Sequence, residues 1–167
     1  MYLSQVPLGK SGEWSMREVF FPVGDATVKG RSLCYGDTDW MCDKPEEIES
    51  MRGGIEEAKR RGGQILKLGL GMGVFCDLVL EEPYVACITV IELSPDVIKL
   101  VAPTVQERHG ARVRLIEADG LTWRPDRYFT VGYHDIWLKG PSAEEEEALL
   151  AHYAPHCDWQ GVWHCPW

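Results

Sequence analysis

The sequence lacks the features that would place it among membrane, secreted or repeat proteins. No apolar run in its 167 residues approaches the roughly 20 that cross a bilayer, and no basic segment followed by an apolar core opens the chain. Internal repeats and low-complexity segments are also missing. We therefore expect a cytoplasmic protein without membrane contact. Its length suits one compact unit, with an N-terminal arm and hairpin in residues 1–43 and a main domain in residues 44–167.

The chain has no CxxC pair, although it contains 6 cysteines. In a chain of this size they are expected to be reduced and mostly buried thiols. The C-terminal stretch concentrates candidate metal ligands, namely His152, His156, Cys157, His164 and Cys165. Their spacing matches no common zinc finger, so we predict no metal site.

Basic residues are in deficit, with 17 Lys and Arg against 26 Asp and Glu and a formal net charge of -9. Nucleic-acid binding draws mainly on Lys and Arg that neutralise phosphates. The one basic cluster, in residues 51–63, is interpreted as the solvated face of a helix. Nucleic acid is therefore not an expected partner, whereas a cationic cofactor or substrate suits the acidic field.

The stretch around which the chain is organised begins with a short apolar run, residues 65–68, and continues with glycines at alternate positions. A second apolar run, residues 86–91, ends on Glu92. The glycines are Gly69, Gly71 and Gly73. Strand, glycine turn, helix, strand and acid is the order of a nucleotide-binding βαβ unit. Glycines admit a ligand close to the backbone, and a carboxylate at the second strand's end can accept hydrogen bonds from both ribose hydroxyls.

The glycine spacing narrows the range of ligand classes that the unit is expected to bind. Glu92 lies 19 residues after Gly73, close to the roughly 20 typical of the unit. The glycines read GxGxG rather than the GxGxxG of pyrophosphate binders, which points away from NAD and towards a nucleoside without a diphosphate, such as S-adenosylmethionine. Taken alone, the glycines are also compatible with a purely structural turn.

Four segments together resemble a class I S-adenosylmethionine-dependent methyltransferase, nearest to the spermidine-synthase-like branch and to short phage-encoded methyltransferase-like proteins. They read ILKLGLGMG, TVIELSPDVIKLV, LIEADGLTW and YHDIW, and the resemblance covers roughly Gly30 to the C-terminus. It implies an α/β, Rossmann-like fold with a mostly parallel open sheet and an N-terminal β-hairpin. The family's sheet has seven strands, and the sequence shows no place for the last ones, so we expect a C-terminally truncated version.

The resemblance also assigns roles to particular residues. Those implied to bind the cofactor are Gly69, Leu70, Gly71, Met72, Gly73, Glu92, Leu93, Asp119, Gly120 and Asp43. Glu92 would hold the ribose, while Asp119 and Gly120 would meet the adenine. The stretch before the first main-domain helix would close over the amino-acid end, with Trp40, Met41 and Asp43 as candidates. Lys67 stands where the family usually has an acid that helps to hold the methionine end.

Asp135 occupies the position of this branch's catalytic acid, and His134 is the neighbouring alternative base. Both residues also have a structural interpretation, because a His-Asp pair at a strand end often satisfies a loop. The resulting hypothesis is methyl transfer to an unidentified small-molecule or protein acceptor. The alternatives are an aminopropyl transferase, a lyase that cleaves the cofactor, and a cofactor-binding module without catalysis.

Local patterns predict the remaining elements. Residues up to about 10 are predicted to form an arm, residues 13–21 and 26–35 a hairpin, and residues 112–116, 129–136 and 158–164 further strands. Asp43, Ser94 and Ser142 are predicted to cap helices, and the first of these helices runs to Gly62.

An open sheet edge is a liability, so we expect the hairpin, the tail or a second subunit to cover it. Seven tryptophans in a short chain add to the expectation of a homo-oligomer.

Overall fold

The computed structural model describes residues 2–164, so Cys165 among the candidate metal ligands lies outside the described residues. An antiparallel sheet comes first, with strand order β1-β2-β3-β4. Its strands are β1 (Gly9–Ser11), β2 (Trp14–Val23), β3 (Ala26–Tyr35) and β4 (Thr38–Cys42). The predicted hairpin is therefore confirmed as β2 and β3, with Val23 paired to Ala26 across the turn. It belongs to a larger sheet than the sequence indicated.

A parallel five-stranded sheet follows, in the order β7-β6-β5-β8-β9. Its strands are β5 (Gly63–Leu68), β6 (Val85–Glu92), β7 (Val113–Glu117), β8 (Val131–His134) and β9 (Gln160–Val162). The helices are α1 (Pro45–Ser50), α2 (Arg52–Arg61), α3 (Val74–Val79), α4 (Pro95–His109) and α5 (Ala143–Tyr153). The predicted α/β, Rossmann-like architecture with a parallel sheet is confirmed.

The central strand β5 is buried on both faces, as its near-continuous apolar sequence requires. Ile65 contributes to the core shared with α2, α3 and α4, whereas Leu66 and Leu68 contribute to a second core with Phe129 and Tyr153. Alternate side chains of a strand point to opposite faces, which explains this division. The two cores fix β5 firmly, so the turn that follows it starts from a rigid strand end.

The N-terminal sheet packs mainly against α4. Ser11 in β1 donates a hydrogen bond to Asp96 in the first turn of α4, at 2.7 Å. The arm before β1 is also ordered, because Val6 is buried and the backbone N–H of Ser4 donates to Asp43 at 2.7 Å. The described arm, from residue 2 onwards, is therefore part of the packed structure rather than the loose arm that the sequence predicted.

The first main-domain helix departs from the prediction in two ways. It is divided at Met51, which is buried, into α1 and α2. The predicted Asp43 cap is wrong, because Lys44 is the N-cap and no side chain caps α1. The Asp43 carboxylate instead accepts hydrogen bonds from the backbone N–H groups of Ser4 and Arg31, at 2.7 and 2.8 Å. It ties the N-terminal arm to β3.

The other predicted caps are confirmed. Ser94 accepts a hydrogen bond from the Val97 N–H at 3.3 Å, and Ser142 and Glu145 form a reciprocal capping box at the start of α5. The fourth and fifth parallel strands are shorter than predicted. In the fourth, Phe129 makes only an isolated bridge to Cys157 and lies outside the strand.

Across residues 2–164, no helix is long and apolar enough to span a bilayer, and no group of three His, Cys, Asp or Glu side chains is arranged to hold a metal.

Candidate active site

A cleft of about 340 Å³ lies at the carboxyl ends of the parallel strands. This edge of an open α/β sheet is where ligands bind in such folds, and the volume suits a small molecule. Strand order places β6 and β7 on one side of β5 and β8 on the other. We call the two sides the Glu92 end, which contains Glu92, Leu93, Asp119 and Leu121, and the Asp135 end, which contains Glu47 and Asp135.

Two of the predicted glycines bring the backbone to the floor of the cleft. Gly69 and Gly71 line it with left-handed φ angles of 82° and 53°. A Cβ at Gly71 would lie 2.5 Å from the sulfur of Met41, and one at Gly69 would overlap the carbonyl oxygen of Asp135. Only glycine satisfies both the backbone angle and the close packing at these positions.

The other turn residues predicted to bind the cofactor do not line the cleft. The side chains of Leu70 and Met72 are buried in the core, with exposures of 4% and 1%. Gly73 has a φ of 76° at the start of α3, where a Cβ would lie 2.5 Å from Val105. These three residues shape the turn and pack it against α4.

Glu92 holds the turn through its carboxylate. One oxygen accepts a hydrogen bond from the Leu70 N–H and the other from the Ser94 N–H, each at 2.8 Å. This pair of bonds joins the glycine turn to the start of α4. Each carboxylate oxygen has a second lone pair, so Glu92 can still accept hydrogen bonds from a ligand in the cleft that it lines.

Asp119 and Gly120, at the end of β7, also line the cleft. One carboxylate oxygen of Asp119 accepts a hydrogen bond from the Leu121 N–H at 2.9 Å, which fixes the loop. Leu93 and Leu121 are 67% and 51% exposed. Large apolar side chains with that exposure give the Glu92 end a surface suited to a flat, apolar ring.

Asp135 follows β8 and lines the cleft at the opposite end. Its carboxylate forms an ion pair with Lys67, with Nζ 3.2 Å from Oδ2. Lys67 is 3% exposed, also donates to the Leu68 carbonyl at 2.8 Å, and lies 5.7 and 5.4 Å from the ring centroids of Phe75 and Tyr133. The buried ammonium of Lys67 is thus satisfied by protein groups, and it fixes the direction of the Asp135 carboxylate.

His134, the alternative base, is fully buried and is not among the residues that line the cleft. Its Nε2 lies 2.9 Å from Oε1 of Gln160, and its ring stacks on Tyr153 with centroids 5.1 Å apart. Burial lowers the pKa of His134 to about 4. Asp43 does not line the cleft either, because its side chain is fully buried and accepts a hydrogen bond from the N-terminal arm.

Several cleft residues were not predicted from the sequence. Glu47, in the first turn of α1, lines the Asp135 end, and burial together with the Asp135 charge raises its pKa to about 7. Tryptophans from three parts of the chain also contribute to the walls. They are Trp14, Trp137 and Trp163, beside the anticipated Trp40. No local signal identifies Glu47, which sits in an ordinary acidic first helical turn.

No family model and no curated protein matches this sequence. Solved structures do match its fold. The N-methyltransferase NodS from Bradyrhizobium japonicum WM9, in complex with S-adenosyl-L-homocysteine, has a TM-score of 0.55 and 13% identity over 69% of this chain. The putative methyltransferase yhhF from Escherichia coli has a TM-score of 0.55 and 13% identity over 71%. The ribosomal protein L11 methylase from Lactobacillus delbrueckii subsp. bulgaricus has a TM-score of 0.55 and 14% identity over 71%.

This chain spans 58%, 65% and 61% of the length of those three proteins, respectively. The similarity lies in the fold, since the sequences have diverged far. The chain therefore has the fold of class I methyltransferases.

Proposed function

We propose that this protein binds S-adenosylmethionine in the cleft and transfers its methyl group to a small-molecule or protein acceptor. The observation that carries the proposal is the convergence of Gly69, Gly71, Glu92, Asp119 and Asp135 on one cleft at the carboxyl edge of the sheet. Three separate strand ends supply the carboxylates. The spermidine-synthase-like resemblance is part of the proposal and rests on the sequence motifs alone.

The residues of the cleft fit the cofactor's parts. Gly69 and Gly71 line the cleft with backbone alone, so a ligand can approach the turn without a side chain in the way. Glu92 would accept hydrogen bonds from the ribose hydroxyls, and Asp119 would accept one from the adenine amino group. Leu93 and Leu121 would cover the faces of the adenine ring with apolar surface that is now exposed.

The cofactor's sulfonium supplies an already activated methyl group, so the protein has mainly to align the acceptor and exclude water. Asp135 keeps one carboxylate oxygen that is not bound to Lys67. This oxygen would orient an acceptor's N–H, O–H or S–H group and receive its proton. Ile136, Trp137 and Leu138 line the adjoining wall and would shield the acceptor from solvent.

The test is a product assay by mass spectrometry with S-adenosylmethionine and candidate acceptors. S-adenosylhomocysteine that accumulates only with an acceptor supports methyl transfer. Methylthioadenosine as the product would replace the proposal with cofactor cleavage or aminopropyl transfer. Tight binding without any product would instead make the protein a cofactor-binding module.

A further inference from the structure

The carboxylates that line the cleft differ in whether the protein already satisfies them. Glu92 accepts two backbone N–H groups, and Asp119 accepts one. Asp135 is paired with Lys67. Glu47 alone among these four makes no side-chain hydrogen bond or ion pair with any residue from 2 to 164. A half-buried carboxylate without donors points to a ligand that brings them.

The electrostatic setting of Glu47 favours a cation. Desolvation is the main cause that raises the pKa of its carboxyl to about 7, and the neighbouring Asp135 charge adds to it, while Lys44 opposes both. A positive group placed beside Glu47 would relieve the repulsion from Asp135 and compensate for the lost water. Lys67 cannot play this part, because its ammonium is sealed between Leu68, Asp135 and two aromatic rings.

The position of Glu47 is also well fixed. Ser50 donates a hydrogen bond to the Glu47 carbonyl at 2.6 Å and receives one from the indole N–H of Trp163 at 2.8 Å. Trp163 itself lines the cleft. The first turn of α1 is thus held against the cleft wall, so that the backbone carrying the Glu47 side chain is fixed before any ligand binds.

We propose that Glu47 binds the α-ammonium of the cofactor's methionine moiety. The assignment rests on the proposed function. The cofactor has two cationic groups, the sulfonium and the ammonium, and only the ammonium carries N–H donors. The adenosyl groups have their partners at the Glu92 end, which leaves the Asp135 end, with its unpaired carboxylate, for the amino-acid part.

Calorimetric titration with two related ligands tests the assignment directly. S-adenosylhomocysteine and methylthioadenosine share the adenosyl part and a neutral sulfur, but only the first has the α-ammonium. Glu47→Gln should weaken S-adenosylhomocysteine about 10-fold or more, the scale of a charged hydrogen bond, and leave methylthioadenosine within about twofold. Glu46→Gln is the matched control, since Glu46 is the exposed neighbour and should change neither affinity.

A conservative variant keeps the test interpretable. Glu47→Asp retains the charge on a shorter side chain and should recover part of the lost affinity for S-adenosylhomocysteine. Equal losses for both ligands would overturn the assignment, because Glu47 would then only shape the cleft. Unchanged affinity for S-adenosylhomocysteine would overturn it too. Failure of the unmodified protein to bind either ligand would instead remove the proposed function, and the assignment with it.

Discussion

The two ends of the cleft are built in different ways. At the Glu92 end, the polar groups sit at the ends of adjacent strands, and each accepts a backbone N–H from its own or the preceding loop. At the Asp135 end, the groups come from β5, from the segment after β8 and from α1, and an ion pair joins residues 68 positions apart. Topology alone positions the first end, whereas specific side-chain pairing positions the second.

The largest loss of stability is expected from a substitution in the glycine turn, which both ends of the cleft share. Gly69→Ala should cost about 2–4 kcal/mol of stability, because the left-handed backbone is strained for alanine and the new Cβ overlaps the Asp135 carbonyl. Thermal unfolding would measure the loss. Gly53→Ala is the control, since Gly53 lies in α2 with open space around it and should be neutral or slightly stabilising. A Gly69→Ala protein as stable as this control would contradict the described turn.

The ion pair at the Asp135 end should respond asymmetrically to mutation. Asp135→Asn leaves a buried ammonium without its carboxylate and should cost about 2–4 kcal/mol, whereas Lys67→Met leaves Asp135 facing the cleft and should cost about 1 kcal/mol. The double variant should be close to Lys67→Met alone. Urea unfolding of the four proteins gives the coupling. Additive losses would show that the two groups do not interact.

Substitutions at the Glu92 end should lower the affinity for the ligand. Glu92→Ala is expected to weaken S-adenosylhomocysteine by roughly 1–3 kcal/mol, since it removes an acceptor for the ribose and releases the Leu70 and Ser94 N–H groups. Glu92→Gln retains one carbonyl oxygen and should lose less. Calorimetry would compare the two variants with the unmodified protein. Identical losses would mean that the turn, and not the acceptor atoms, determines affinity.

The smallest effect concerns pH and Glu47. Its pKa is raised from 4.5 to about 7, so the folded protein holds this proton more tightly than the unfolded chain does. Ionisation therefore lowers stability as pH rises from about 4.5 to 7, and the loss persists above pH 7. Glu47→Gln should raise the melting temperature at pH 8 by about 2–4 °C, the shift that roughly 1 kcal/mol produces in a domain of this size, and change it little at pH 4. A destabilised variant at pH 8 would contradict this assignment of charge.

The sequence predicts the fold and the Glu92 end for the same reason. Apolar periodicity locates strands and helices, and strand ends of a parallel sheet meet at one edge, so Glu92 and Asp119 come together without knowledge of side-chain packing. The strands β1 and β4 were missed because they have only 3 and 5 residues and gain stability from β2 and β3. Self-association stays a prediction.

Side-chain partners and burial resist prediction because they depend on which residues the folded chain brings together. Asp43 resembled a helix cap, but two backbone N–H groups distant in sequence bind its carboxylate. His134 and Asp135 are adjacent in sequence. The side chain of His134 is nevertheless buried away from the cleft, whereas Asp135 lines it. Nothing in the local sequence around Lys67 indicates that it pairs with Asp135, which lies 68 residues further along the chain. Such pairs are properties of tertiary packing rather than of local pattern.

The measurement that tests the central claim most directly is calorimetric titration of the unmodified protein with S-adenosylhomocysteine. We expect saturable binding with one site per chain, weakened by Glu92→Ala and unaffected by Glu46→Gln. If no saturable binding is seen up to about 1 mM ligand, the binding free energy is weaker than about −4 kcal/mol, and the proposed cofactor site is contradicted.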